Sequence, residues 1–290
     1  MMERNGLAVD VKPQITSSAL KQVVGNYDAL VVRSRTKITM DVIKLGKRLK
    51  AIGRVGVGLD NINVQAATTH SITVFNSPEA SAEAVAELTI GLMLSVARNI
   101  PFADKSMKER EWVKKQMTGW LLEGKTLGLL GLGNIGFRVA VIAKALGMKI
   151  LVTKRTPPEA RLLADLRGAY VPLSELLMRS DIVSIHIPLN EQTRHLISDK
   201  EFSIMKEGAY LINTARGAIV DEAALYKALQ GGKLAGAALD VYEMEPPLNS
   251  LITPLMNVVC TPHIGGQTIE SQRKAAEIVA EKIINHLGEN

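Results

Sequence analysis

Short apolar runs alternate along the chain with longer stretches in which apolar residues recur every three or four positions. This is the pattern of strands and helices taking turns in an α/β fold around a parallel sheet. The runs Ala29–Arg33, Ala51–Arg54, Thr73–Phe75, Thr126–Leu130, Lys149–Thr153, Ile182–Ile187, Tyr210–Asn213, Ala235–Leu239 and Val258–Thr261 are predicted strands. Most are continuously apolar and bounded by Gly, Pro or Asp, as strands covered on both faces should be. Between them, Val85, Leu88, Leu92 and Val96 fall at helical spacing over Ala82–Arg98, and Asp221–Gln230 is a helix stopped by Gly231-Gly232. Phe137–Leu146 and the amphipathic tail Ile269–Leu287 are predicted to be helical as well.

The long apolar helix joins a front set of strands to a central set, so a boundary is expected near Asn76–Pro78. The tail after Pro262 has no strand of its own to cover and returns to the first unit. A length of 290 residues with 47% hydrophobic and 22% charged residues agrees with two folded units and excludes a disordered or collagen-like chain. Cys260 is the single cysteine, which permits no internal disulfide and points to a reducing, cytoplasmic setting. Apolar stretches such as 88–96 are too short to span a bilayer, and Met-Met-Glu-Arg-Asn is no signal peptide, so no membrane role is expected.

The formal charge of +6 raises the question of nucleic acid. Yet the 35 Lys and Arg are dispersed and aromatics make up only 4% of residues, too few for a base-stacking platform. The charge reads as solvated helix faces plus local cations for an anionic ligand. No metal site is expected.

One such ligand is implied by Gly131-Leu-Gly133-Asn134-Ile135-Gly136. These glycines stand in G-x-G-x-x-G spacing directly after a strand and before a helix, with a second strand at Lys149–Thr153. In that context Gly131 permits the turn, Gly133 lets the backbone approach a pyrophosphate, and Gly136 lets the helix pack on the sheet. The acid that would bond a ribose 2′-hydroxyl at the end of the second strand is missing. Lys154 and Arg155 stand there and suit a 2′-phosphate. The cofactor is therefore NAD or NADP, with NADP favoured.

Three later segments close predicted strands with reactive side chains: Asn213-Thr214-Ala215-Arg216-Gly217, Asp240-Val-Tyr-Glu-Met-Glu245-Pro, and Thr261-Pro-His263-Ile-Gly265-Gly266. Ligands of doubly wound sheets bind at the carboxyl ends of the strands. An alcohol oxidation needs a base for the hydroxyl proton and a cation for the substrate carboxylate. An imidazole, which titrates near neutrality, makes His263 the base, Glu245 its orienting partner, and Arg216 the carboxylate fork.

With Gly-Leu-Gly-Asn-Ile-Gly, these segments and His186-Ile-Pro188-Leu-Asn-Glu-Gln-Thr193, the chain resembles the D-isomer-specific 2-hydroxyacid dehydrogenases over nearly its whole length. The resemblance implies a Rossmann nucleotide domain, residues 79–264, inserted in a smaller flavodoxin-like α/β catalytic domain made of 1–78 and 265–290. It also implies an active site in the cleft and a homodimer formed largely through the nucleotide domain. By position it makes Arg216 the substrate-carboxylate arginine, Glu245 and His263 the acid–base pair, and Asp240 a ligand of the nicotinamide carboxamide. His186, Pro188, Thr193, Thr214, Ala215, Gly265 and Gly266 join the glycine loop, Lys154 and Arg155 on the cofactor side.

Within the family, 31–36, 53–62 and 124–128 most resemble D-3-phosphoglycerate dehydrogenase. On that resemblance Val57 and Gly58 belong to the turn that binds the substrate carboxylate, and Arg33, Ser34 and Arg35 to a phosphate grip. The expected reaction is hydride transfer between NAD(P) and a 2-hydroxy acid/2-oxo acid pair, with 3-phosphoglycerate and 3-phosphohydroxypyruvate foremost. A glyoxylate or hydroxypyruvate reductase using NADPH stands as the alternative. A dinucleotide-sensing corepressor-like module is the reading from another class. Ending at Asn290, the chain is not expected to carry a serine-sensing regulatory domain. Only Met1–Asn5 precede the segment matching 6–11, so the first β-α unit of the catalytic domain is expected to be missing. A misassigned start codon or a partner subunit covering the edge would account for this, and Leu30, Val32 and 278–287 would be left partly uncovered.

Overall fold

The computed structural model describes residues 1–288, which divide into two compact units, 1–82 with 266–288 and 83–265. In chain order the first unit begins with α1 (Ser17–Val23), β1 (Ala29–Val32), α2 (Met40–Leu45), β2 (Ala51–Arg54), α3 (Val64–Thr69) and β3 (Thr73–Phe75). Next come α4 (Ala82–Arg98), α5 (Ile100–Lys108), β4 (Thr126–Leu130), α6 (Asn134–Ala145), β5 (Lys149–Thr153), α7 (Ala160–Leu166) and β6 (Gly168–Tyr170). The second unit finishes with α8 (Leu173–Arg179), β7 (Ile182–Ile185), α9 (Asp199–Ile204), β8 (Ala209–Asn213), α10 (Glu222–Gln230), β9 (Leu234–Leu239) and β10 (Val258–Cys260). Helix α11 (Ile269–Gly288) then returns to the first unit.

The first unit is a parallel sheet in the order β1-β2-β3, with α11 on one face. The helix comes so close that a Cβ on Gly53, in β2, would meet Val279 at 2.4 Å and Ile283 at 2.7 Å, which is why only glycine fits there. Val279 and Ile283 are wholly buried, and Val32 is buried in one cluster with Leu20 and Val24 from α1 and its following turn. These positions are therefore covered, contrary to the expectation for Val32 and the tail. Leu30 is half-buried against the same cluster, while Val31, on edge strand β1, is 49% exposed. Residues 6–11 form no strand.

The second unit is a seven-stranded parallel sheet in the order β10-β9-β8-β7-β4-β5-β6. Two clusters of buried apolar residues line it, one around Leu176, Leu225 and Ile185, the other around Met93, Leu127, Val139 and Ile150. Strand order reverses between β4 and β7, the topological switch point where doubly wound sheets bind ligands. Strand β6 was not expected from the sequence. Its three residues, Gly168-Ala-Tyr, are mostly exposed at the sheet edge and lack the apolar run of a buried strand. Strands β7 and β10 end before Ile187 and Thr261, each of which precedes a proline that would disrupt the ladder.

Candidate active site

Strand β4 delivers the chain to Gly131, whose φ of +104° is a backbone conformation natural to glycine. A Cβ there would lie 2.6 Å from the His186 carbonyl oxygen, and one on Gly136 would lie 2.3 Å from the carbonyl oxygen of Gly131. Gly133, the N-cap of α6, faces open space instead, with nothing within 4 Å of the position a Cβ would take. Exposed Asn134 and half-buried Ile135 open the helix, so the first-turn N–H groups and the positive end of the helix dipole face that space. Backbone cannot approach a ligand more closely than at such a cradle, and it fits the pyrophosphate of a dinucleotide. Strand β5, beside β4, ends at Thr153 with half-buried Lys154 and exposed Arg155 following and no acid beside them. Arg155 Nη2 donates to Gln192 Oε1 at 2.8 Å, tying this strand end to the loop after β7, a contact not foreseen from the sequence.

In that loop Thr193 Oγ1 donates to the Pro188 carbonyl at 2.7 Å and accepts from the Asn190 N–H at 2.8 Å, so this hydroxyl braces its own turn. His186 Nε2 shares a hydrogen bond with Ser184 Oγ at 2.9 Å, while its buried Nδ1 has no partner among the described residues. Burial lowers the pKa of this imidazole to about 3. A base whose pKa falls on folding protonates more readily in the unfolded chain, so stability is lost as pH drops from about 6.5 towards about 3. We expect His186→Gln to flatten that decline, by at most about 1.4 kcal/mol per pH unit. Urea unfolding at pH 7, 5.5 and 4 checks this, and parallel losses in both proteins would remove His186 as the cause.

The ends of β8, β9 and β10 are knitted together by side chain-to-backbone bonds. Asn213 accepts from the Ala215 N–H at 3.0 Å and donates to the Arg216 carbonyl at 3.0 Å, fixing the turn from both sides. Thr214 is buried against Thr89 of α4, hydroxyl to hydroxyl at 2.9 Å, and Arg216 Nη1 donates to the Ala215 carbonyl at 2.7 Å. Asp240, almost completely buried, accepts from Thr261 Oγ1 (2.6 Å), Ile264 N–H (2.8 Å) and Gly265 N–H (2.8 Å). A carboxylate has about four acceptor positions, so three of them hold the turn that carries His263 and one is left for a ligand.

His263 itself is exposed, with φ +52°, and its Nδ1 meets Glu245 Oε2 at 2.7 Å. Glu245 Oε1 also accepts from the Tyr242 N–H at 3.2 Å. Burial works to raise the Glu245 pKa, but the hydrogen bond and charge of His263, the Tyr242 N–H and the Arg216 charge outweigh it and leave the carboxyl below its ordinary value. The carboxylate therefore stays ionised at neutral pH and fixes the tautomer with Nδ1–H, which leaves Nε2 to exchange a proton with a ligand.

The remaining candidates belong to the first unit. After β1, Arg33, Ser34 and Arg35 are exposed. Arg35 is turned onto the chain itself, donating to Gln14 Oε1 at 2.7 Å and to the Pro13 carbonyl, so it is not the open cation the sequence suggested. Val57 and Gly58 follow a turn held by Ser77 Oγ on the Gly56 N–H (3.0 Å) and by Asn76 Nδ2 on the Val57 carbonyl (2.7 Å). Arg54, overlooked in the sequence, folds over this turn. Its Nη1 occupies a point 1.5 Å from where a Gly56 Cβ would be, and Gly56 has φ +132°. A Cβ on Gly266 would clear Ser81 by 3.6 Å.

A family model described as D-isomer specific 2-hydroxyacid dehydrogenase, NAD binding domain, matches residues 90–265. The chain is 47% identical over 291 residues to a hydroxypyruvate reductase of Thermotoga maritima, covering 99% of this chain and 94% of that one. It is also 47% identical over 277 residues to a D-3-phosphoglycerate dehydrogenase of Methanocaldococcus jannaschii, covering 95% of this chain but only 52% of that protein. A glyoxylate reductase structure from Paecilomyes thermophila superposes with a TM-score of 0.85 at 35% identity, covering 92% of this chain and 84% of the other. With the switch-point sheet, the glycine cradle and the paired His263 and Glu245 in place, the chain belongs to the D-isomer specific 2-hydroxyacid dehydrogenases, NAD(P)-dependent oxidoreductases acting on the CH–OH group of a hydroxy acid.

Proposed function

We propose that this enzyme reduces a short, unphosphorylated 2-oxo acid of the hydroxypyruvate and glyoxylate class with NADPH. Arg216 grips the substrate carboxylate, and His263 delivers a proton from Nε2 to the carbonyl oxygen. Glu245 keeps the imidazole oriented and favours its protonated form before transfer. The bound dinucleotide supplies the hydride, so 2-oxo acid, hydride and proton together give the 2-hydroxy acid. The observation that carries the acid–base assignment is the 2.7 Å bond between His263 Nδ1 and Glu245 Oε2. For the substrate, the engagement of Arg35 with Pro13 and Gln14 weakens a phosphate grip, and the near full-length match to a hydroxypyruvate reductase supports the smaller acid. A phosphorylated three-carbon acid is the second reading, favoured by exposed Arg33 and by the phosphoglycerate dehydrogenase relative. A homodimer is supported by Leu94, Ile100, Met107, Trp112 and Leu121, apolar side chains exposed on α4, α5 and the chain after them, and light scattering measures it.

Initial rates with hydroxypyruvate, glyoxylate and 3-phosphohydroxypyruvate, each with NADH and NADPH, test the proposal. Hydroxypyruvate with NADPH is expected to give the highest kcat/KM, and a preference for the phosphorylated acid would transfer the assignment to the second reading. Lys154→Asp should move the cofactor preference towards NADH by about tenfold or more, because an acid repels a 2′-phosphate and accepts from a 2′-hydroxyl. An unchanged NADPH/NADH ratio would place Lys154 outside the ribose pocket.

A further inference from the structure

The turn bearing Arg216 and the loop bearing Glu245 meet backbone to backbone. A Cβ on Gly217 would lie 1.9 Å from the Tyr242 carbonyl carbon and 2.4 Å from the Glu243 nitrogen, so the contact is closed to any residue but glycine. Two acids then cross over it. The Glu222 N–H donates to Glu243 Oε1 at 2.9 Å, and the Glu243 N–H donates to Glu222 Oε1 at 2.8 Å. The other Glu243 oxygen, Oε2, lies 3.2 Å from His195 Nε2. The His195 N–H donates to the Ala218 carbonyl at 2.8 Å, one residue past the close contact, and Ile197 pairs with Val220.

Asp221 caps α10 by accepting from the Ala224 N–H at 3.0 Å, and Glu243 satisfies a second first-turn donor, the Glu222 N–H, whereas the Glu222 carboxylate reaches away from its own helix to the Glu243 backbone. Two carboxylates on facing backbones repel each other, and burial, more than that repulsion, raises the pKa of Glu222. What the pair supplies in spite of that cost is reach: each side chain is long enough to place an acceptor oxygen on the N–H of the facing backbone. We infer that Glu222 and Glu243 are positioning residues, a reciprocal latch that sets the spacing between Arg216 and the Glu245–His263 pair. This rests on the acid–base reading of His263 and Glu245. The latch holds closed the contact between Gly217, the residue after Arg216, and Glu243, two residues before Glu245, and so locks the carboxylate fork against the proton donor.

Steady-state kinetics of the full chain with hydroxypyruvate and NADPH, or with whichever substrate pair the panel above ranks first, provide the test. Glu222→Ala and Glu243→Ala are expected to lower kcat by about 10–100-fold, the scale of a misplacement near 1 Å. NADPH binding, read by fluorescence titration without turnover, should be unchanged, since the glycine cradle lies on other strands. Glu222→Gln and Glu243→Gln keep an oxygen acceptor for each N–H and should recover most of kcat. Should an alanine variant fail to fold, Glu222→Asp and Glu243→Asp, one methylene too short to reach across, are expected to show the same loss. Full activity in the shortened variants, or a loss that glutamine fails to recover, would overturn the latch. His263→Ala assayed alongside reports on the reading beneath it: if that variant is active, the acid–base assignment fails whatever the latch variants do.

Discussion

Replacing His263 by Ala is expected to cut turnover by about 10²–10⁴-fold, the usual contribution of a positioned general acid, while substrate and dinucleotide binding change little. The loss falls on kcat because the proton moves only as the carbonyl oxygen gains charge, whereas the carboxylate grip and the glycine cradle are built from other residues. Charge gives the pH dependence its direction. Reduction takes up a proton through His263, so activity falls as pH rises. Glu245→Gln removes the carboxylate that accepts from His263 Nδ1 and should lower kcat as well, by less than the loss of His263 itself. Wild-type Glu245, held below the ordinary carboxylate pKa, is ionised above that value and lost as a partner only as pH falls through its own lowered pKa, well outside the working range. Stopped-flow and steady-state rates of both variants between pH 6 and 9 check the split. A near wild-type kcat for His263→Ala would remove His263 from the mechanism.

Legibility in the sequence followed from how local each signal was. Strands of the seven-stranded sheet from β4 to β10 read well because burial on both faces writes a continuous apolar run, as in Thr126–Leu130 and Ile182–Ile185. Edge strand β6 left no such run. The glycine loop was readable because each glycine answers a separate steric demand, visible in the clashes a Cβ would make at Gly131 and Gly136. Side-chain partnership was much less so. Asp240 reads in the sequence as a ligand-facing acid; that three of its hydrogen bonds also fix the His263 turn is not legible there, because only the fold brings residues 240 and 265 together. Likewise Arg35, read as a phosphate cation, finds its partners in Pro13 and Gln14, some 20 residues earlier, and Arg54 was passed over because its position over Gly56 depends on a turn with positive φ. The Glu222–Glu243 pair combines residues 21 apart whose meeting depends on the close contact at Gly217. Spacing along a chain reports periodic burial; it is silent on which loops a sheet brings side by side.

Arg216→Ala should lower kcat/KM by about 10²-fold and, unlike the loss of His263, should raise KM as well as reduce kcat. A hydrogen bond to a charged group is worth roughly 1.5–3 kcal/mol, and a guanidinium can offer two to one carboxylate, so removing the fork costs at least one such contact in the ground state. More is lost in the transition state. The carboxylate fixes the angle at which the carbonyl presents itself to the His263 proton, and the Arg216 charge, already felt by Glu245, also favours the developing negative oxygen. Arg216→Lys separates these effects. Lysine keeps the charge but cannot make the planar fork, so it should restore part of the binding and little of kcat. If Arg216→Ala keeps wild-type KM for the oxo acid and loses only kcat, Arg216 does not hold the carboxylate, and the grip lies elsewhere.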